Sequence, residues 1–170
     1  MTITTHLLQL QMASVVYCIV LLCLTSGLWM EAEVNCDESC PPGWTKHGSR
    51  CFIYRPYVYD WASAEKYCIA IGGNLASIQS TNEYNQIRTV VRKASGRNRN
   101  VWVGGHDAVQ EGVWLWSDGS KFSFGSWGKG EPNNHGGKEQ CMEINWGGQN
   151  YVNDQSCSDR RAFVCSSSLE

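Results

Sequence analysis

Cysteine placement limits what this chain can become more than any other feature of it. Nine cysteines occur in 170 residues, and two of them, Cys18 and Cys23, fall in the first thirty residues, which hold no Asp, Glu, Lys or Arg. That opening is most apolar from Val15 to Leu24 and continues into the small residues Thr25-Ser26-Gly27. It reads as a secretory signal peptide within residues 1–32, with cleavage after Gly27 or after Ala32. A membrane anchor is the competing reading; spanning takes about 20 apolar residues and normally shows basic flanks. Export leaves Cys36, Cys40, Cys51, Cys68, Cys141, Cys157 and Cys165 in an oxidising compartment, where six can form three bridges and one is spare. Spacing alone does not choose among the connectivities. Zinc fits poorly, because no CxxC pair occurs and His47, His106 and His135 lie far from closely spaced cysteines.

The chain after the leader reads as a short tail, residues 33–39, and one domain, residues 40–168. Hydrophobic residues make up 42% and charged ones 18%, enough apolar matter for a packed core. A formal net charge of -2 argues against a nucleic-acid binder. Cys40-Pro41-Pro42-Gly43-Trp44 opens the domain with a turn, and Cys51 to Tyr54 is a strand candidate. Asp60 can cap a helix that places Trp61, Ala64, Cys68 and Ile71 on one face, and Gly72-Gly73 stops it. Ser80 and Glu83 form a capping box ahead of a second helix, whose buried stripe is Tyr84, Ile87 and Val91.

The second half changes character. Val101 to Val103 is a strand, after which Gly104-Gly105 is expected to bend the chain. Val113 to Trp116, Cys141 to Asn145, Tyr151-Val152 and Ala162 to Cys165 follow as short strands. Helices first and strands later predict an α+β fold. Residues 125–140 form a long polar, Gly-rich loop, the kind of segment that carries function in a small domain. Arg88, Arg92, Lys93, Arg97 and Arg99 form a basic run with no acid from Asn85 to His106. Such a run is usually a solvated face, and the other reading is adhesion to anionic surfaces.

These residues resemble the C-type lectin-like domain family. Cys40, Cys51, Trp61, Ala64-Glu65, Cys68, Gly73 and Leu75 are similar to its first half. Trp102-Val103-Gly104-Gly105 resembles its Trp-Ile-Gly-Leu core motif. Trp114, Trp116-Ser117-Asp118-Gly119, Trp127, Glu131-Pro132-Asn133, Cys141, Asn153-Asp154, Cys157 and Cys165 continue in the family's order. The resemblance covers residues 40–165 and includes soluble secreted lectins and fish type II antifreeze proteins. It implies the pairs Cys40–Cys51, Cys68–Cys165 and Cys141–Cys157, each stabilising by roughly 2–4 kcal/mol. Cys36 is then spare, either a capped thiol or an interchain bond making a covalent homodimer.

By the same resemblance, Glu131, Asn133, Glu139, Asn153 and Asp154 are the ligands of one Ca2+ ion. Three carboxylates and two amide carbonyls suit a hard cation that takes six to eight oxygens. In the family the bond before Pro132 is cis and turns flanking oxygens toward the ion. Glu131, Asn133, Glu139 and Asn153 would also bind the sugar, whose vicinal hydroxyls complete the ion's shell. Glu-Pro-Asn goes with mannose-type hydroxyl geometry in the family, and Gln-Pro-Asp with galactose. His135 follows the motif and could contact the ligand, although an exposed His in such a loop is more often solvated. A second ion would use Asp107 and Glu111, but Asn134 and Gln140 stand where relatives often carry carboxylates, so that site is expected to be weak or absent. Val152 stands where the family has Trp.

The expectation is a calcium-dependent lectin for mannose-type glycans of microbial surfaces. The alternatives are an ice-binding protein, against which the lack of extra cysteines counts, and a protein-binding member, against which the filled ligand set counts. Nothing suggests an enzyme: no nucleophile stands beside a base, and ligation explains Glu131 and Glu139 better than acid–base work.

Overall fold

The computed structural model describes residues 39–169, which lie within the compact unit Glu38–Glu170. The signal peptide and Cys36 therefore lie outside the described residues.

The domain begins with a hairpin. Strands β1 (Thr45–His47) and β2 (Arg50–Tyr59) pair antiparallel across Gly48-Ser49, with Gly48 at φ 58°. A two-residue turn of this kind needs the left-handed backbone that glycine adopts freely. Helix α1 (Trp61–Ala70) follows, with the Asp60 side chain accepting from Ser63 N as its cap. Its inward residues Ala64 and Cys68 are buried as the helical spacing predicts. Strand β3 (Asn74–Leu75) comes next, held to α1 by Glu65, whose carboxylate accepts from Asn74 Nδ2 at 2.5 Å and Leu75 N at 2.7 Å.

Helix α2 (Thr81–Ser95) is capped by Ser80, which accepts from Glu83 N at 3.1 Å. The predicted capping box is only half formed. Glu83 reaches back past the cap to accept from Gln79 N at 2.7 Å, one residue before Ser80, and its other oxygen takes Arg50 Nη1 at 2.8 Å. Arg50 draws the carboxylate inward, where it is 6% exposed. Tyr84, Ile87 and Val91 are buried as predicted, and Gly96 ends the helix at φ 77°.

Strands β4 (Val101–His106), β5 (Leu115–Trp116), β6 (Cys141–Ile144), β7 (Val152–Gln155) and β8 (Arg161–Ser168) complete one sheet. Its order is β1-β2-β8-β4-β6-β7, with β3 added to β8 and β5 to β4. The pairings are antiparallel except β4 with β8, which run parallel. Two expectations are corrected. Gly104-Gly105 does not bend the chain but continues β4. A Cβ on Gly104 would stand 2.7 Å from Leu75 O, so the glycine is there to let β3 come close. Val113 to Trp116 is a strand only at Leu115–Trp116, since the turn after Asp107 occupies the preceding residues.

Two apolar clusters sit in the domain. Phe52, Ile87, Val91, Val103, Met142 and Ile144 belong to the one packed by α2; Ala64, Leu75, Trp102 and Phe163 belong to the one packed by α1. The structure joins Cys40 to Cys51, Cys68 to Cys165 and Cys141 to Cys157, as the family resemblance implies. The Cys68–Cys165 bridge closes 97 residues and ties α1 to β8 inside the second cluster. A loop of that length is the kind whose closure limits the unfolded chain most, by about 4–5 kcal/mol in the chain-entropy treatment.

Candidate functional site

The long polar loop is anchored at its start to β7. Trp127 bridges to Val152, Gly128 N donates to Val152 O at 2.9 Å, and the loop then runs to Gln140 beside β6. Asp154 on β7 holds its middle. Its two carboxylate oxygens accept from Asn133 N at 3.1 Å and Asn134 N at 2.7 Å. The Glu131–Pro132 peptide bond is cis. Asn134 has φ 42°, a left-handed conformation that asparagine tolerates, and its Oδ1 accepts from Glu139 N at 3.0 Å. Glu139 closes the same turn by accepting from His135 N at 2.9 Å. Glu131, Asn133, Glu139 and Asp154 thus share one corner of the molecule, although they come from a loop and a strand.

The corner gathers several carboxylates. Burial, Asp154 and Glu139 all push the Glu131 carboxyl above its usual range. Its Oε2 is buried with no hydrogen-bond partner. Among the described residues, the ion pairs of Arg50 and Arg161 go to Glu83, Asp118, Glu143 and Asp159, and none reaches Glu131, Glu139 or Asp154. An orphaned carboxylate oxygen among other oxygen donors is the chemistry a hard divalent cation satisfies. Among the described residues no three His, Cys, Asp or Glu side chains stand close enough to hold a metal by themselves. Any ion held at this corner would need oxygens beyond these carboxylates.

Asn153 is set from behind by residues that sequence reasoning missed. Glu143 on β6 is its cross-strand partner, and Asn153 Nδ2 donates to Glu143 Oε1 at 3.1 Å. With its NH2 engaged there, the Asn153 carbonyl oxygen is left for a ligand. Glu143 is fully buried and is itself held: Arg161 Nε donates at 3.0 Å and Asn100 Nδ2 at 3.2 Å. Only the alternation along β6, which turns Glu143 to the side opposite Met142, could have flagged this carboxylate. Val152, where the family has Trp, is fully buried and packs in the apolar cluster without disturbing this set.

The neighbouring group is arranged differently. Asp107 is buried; its Oδ2 accepts from Gly112 N at 2.8 Å, while its Oδ1 has no partner. Asn134 donates its amide to the Glu111 carboxylate, and Gln140 lies beside Asn134. Glu111 is pushed up by burial and by the nearby charges of Asp107 and Asp154. An amide thus bonds Glu111 where a further carboxylate would have added an ion ligand. His135 is exposed in its 3-10 turn, His135–Gly137.

A model of the family "Lectin C-type domain" matches residues 57–167. The chain belongs to the C-type lectin family, a carbohydrate-binding and non-enzymatic group. It is 48% identical over 160 residues to the "Galactose-specific lectin nattectin" of Thalassophryne nattereri, covering 93% of this chain and 100% of that protein. It is 46% identical over 122 residues to "Ladderlectin" of Oncorhynchus mykiss, covering 72% of this chain and 64% of that one. Among solved structures, the herring type II antifreeze protein superposes with a TM-score of 0.72 at 29% identity, covering 77% of this chain and 100% of that one.

Proposed function

We propose that this protein is a secreted, calcium-dependent lectin that reads the vicinal hydroxyls of mannose-type sugars, in innate recognition of microbial glycans. The observation that carries the calcium part is the buried, unpartnered Oε2 of Glu131 in a cluster of carboxylates with no basic partner among the described residues, and the mannose part rests on the order Glu131-Pro132-Asn133. Glu131, Asn133, Glu139, Asn153 and Asp154 would hold one Ca2+, which when bound supplies the positive charge and the open coordination positions that two sugar oxygens fill. The side chains do the rest. Glu131 and Glu139 accept hydrogen bonds from the hydroxyls, Asn133 and Asn153 offer amide groups, and that pattern of donors and acceptors selects the hydroxyl geometry. His135, exposed at the rim, is a further contact candidate. Asp107 and Glu111 form at most a weak second ion site, because Asn134 and Gln140 bring no charge. Residues 1–32 act as the signal peptide, and Cys36 links two copies.

Galactose is the second reading, because nattectin, 48% identical, is called galactose-specific. Ice binding is a third, supported by the likeness to the herring antifreeze protein. Parallel mannose and galactose resins, each with calcium and with excess chelator, separate these. Retention on mannose that a chelator releases is the expected result. Retention on galactose alone would overturn the mannose assignment, and retention that survives the chelator would overturn the role of calcium. Thermal hysteresis of the same sample tests the ice reading, and gels run with and without reductant test Cys36.

A further inference from the structure

The loop after α2 and the start of β8 line an open, shallow cavity of about 540 Å³, with Arg97, Asn98, Arg99, Asn100, Arg160 and Arg161 among its lining residues. Among the described residues no carboxylate lines it. A second cavity of about 180 Å³ shares Asn98 and continues along α2 past Asn85, Arg88 and Arg92. The two form one track. The arginines in it are not equally committed. Arg161 is paired with Glu143 and Asp159, and Arg88 Nε donates to Asn145 Oδ1 at 2.8 Å. Arg160 uses Nε on Val58 O at 3.0 Å, and its charge is felt by Asp60. Arg92, Arg97 and Arg99 make no side-chain hydrogen bond or ion pair among the described residues. Free guanidinium forks recognise planar or tetrahedral oxyanions through paired N–H donors.

The occupant follows from what lines the track and what does not. Arginines alternate with Asn85, Asn98 and Asn100, whose amides suit hydroxyls and ring oxygens. Among the described residues no aromatic side chain lines either cavity, so bases of a single-stranded nucleic acid would find no stacking surface there. Two joined cavities fit a linear polymer better than one small anion. We infer that this track is a second carbohydrate site, independent of calcium, for a sulfated polysaccharide whose sulfate groups pair with Arg92, Arg97, Arg99 and Arg160.

The test is binding of the whole secreted chain to a heparin-derived octasaccharide in excess chelator, by calorimetry, at two salt concentrations. The expected result is binding that chelator and free mannose leave unchanged and that weakens as salt rises. The variant R97A/R99A/R160A should bind about tenfold more weakly, a few-fold per exposed charge pair. Arg161 and Asn100 are left intact because they hold Glu143. The control variant K46A/K66A/K121A loses the same formal charge elsewhere on the surface. Equal weakening in the control would show an effect of net charge only and overturn the site. So would equal binding of the desulfated octasaccharide, or tighter binding of a single-stranded oligonucleotide of matched charge. Unchanged melting temperatures of both variants and unchanged calcium-dependent sugar retention exclude misfolding.

Discussion

Glu83 and Glu131 are both acidic residues drawn into the protein, yet their surroundings are opposite. Glu83 sits where α2 begins and takes Arg50 at 2.8 Å, while Arg50 also reaches Ser77, Ser166 and the edge of Asp118. Every charge in that corner has a partner, so the corner braces the fold. Glu131 sits where the long loop folds on β7, with Asp154 and Glu139 beside it and no basic side chain paired with it among the described residues. Its corner crowds like charges, the arrangement on which the proposed calcium site rests. Glu143 stands between the two cases. It is buried and paired like Glu83, but it passes its order on to Asn153 in the site.

Four measurements break or sharpen that contrast. The largest effect is expected at the complete corner: Arg50→Met leaves Glu83 buried without its partner and should destabilise the domain by about 3–5 kcal/mol in chemical unfolding. A loss under about 1 kcal/mol, the range of an exposed pair, would show that this corner braces nothing. Next comes the Glu131 corner. Excess Ca2+ at about a hundredfold its dissociation constant should stabilise the protein by about 2.7 kcal/mol. Glu131→Gln should abolish that gain while melting no lower than the unaltered protein in chelator, because it removes one of three crowded carboxylates. A Gln variant that melts lower in chelator would mean Glu131 is structural after all.

Glu143→Gln tests the link. It keeps the shape but weakens the hold on Arg161, so calcium affinity should fall about tenfold, as for other groups that orient a metal ligand. Unchanged affinity, measured by calcium titration of the variant, would detach Glu143 from the site. The smallest effect concerns Asp118. Burial raises its pKa, but hydrogen bonds from Ser120 and Ser77 and the Arg50 charge outweigh that and hold it below 3.8. A depressed carboxylate contributes stability above its unfolded pKa and loses it as pH falls through the folded one. Asp118→Asn should therefore melt lower than the unaltered protein at neutral pH, with the gap closing as the pH drops below about 4. A gap that persists at low pH would point to lost shape rather than lost charge.

Much of the frame is legible in the order of the residues. Asp60 and Ser80 each start a helix because a side-chain oxygen must meet backbone N–H groups three residues on. The inward faces of both helices follow from a period of 3.6 residues. The candidate residues of the loop stand out in the sequence through their order and through the family they resemble. Gly104-Gly105 is not legible in this way, because a glycine serves equally as a hinge and as a gap for another backbone. Only β3 lying against it distinguishes the two.

The residues themselves determined the helices and their caps, since those depend on neighbours a few positions away; the cysteine pairing and the meeting of the loop carboxylates with Asp154 needed the fold, or the family resemblance. Tertiary structure decided which charges are paired. Arg50 meets Ser166 across 116 positions, Asn100 meets Glu143 across 43, and Arg161 meets Glu143 across 18. Strand register brings those groups together, and register is a property of the whole sheet. Among the described residues no arginine pairs with Glu131, and that difference in pairing separates the Glu83 brace from the candidate site.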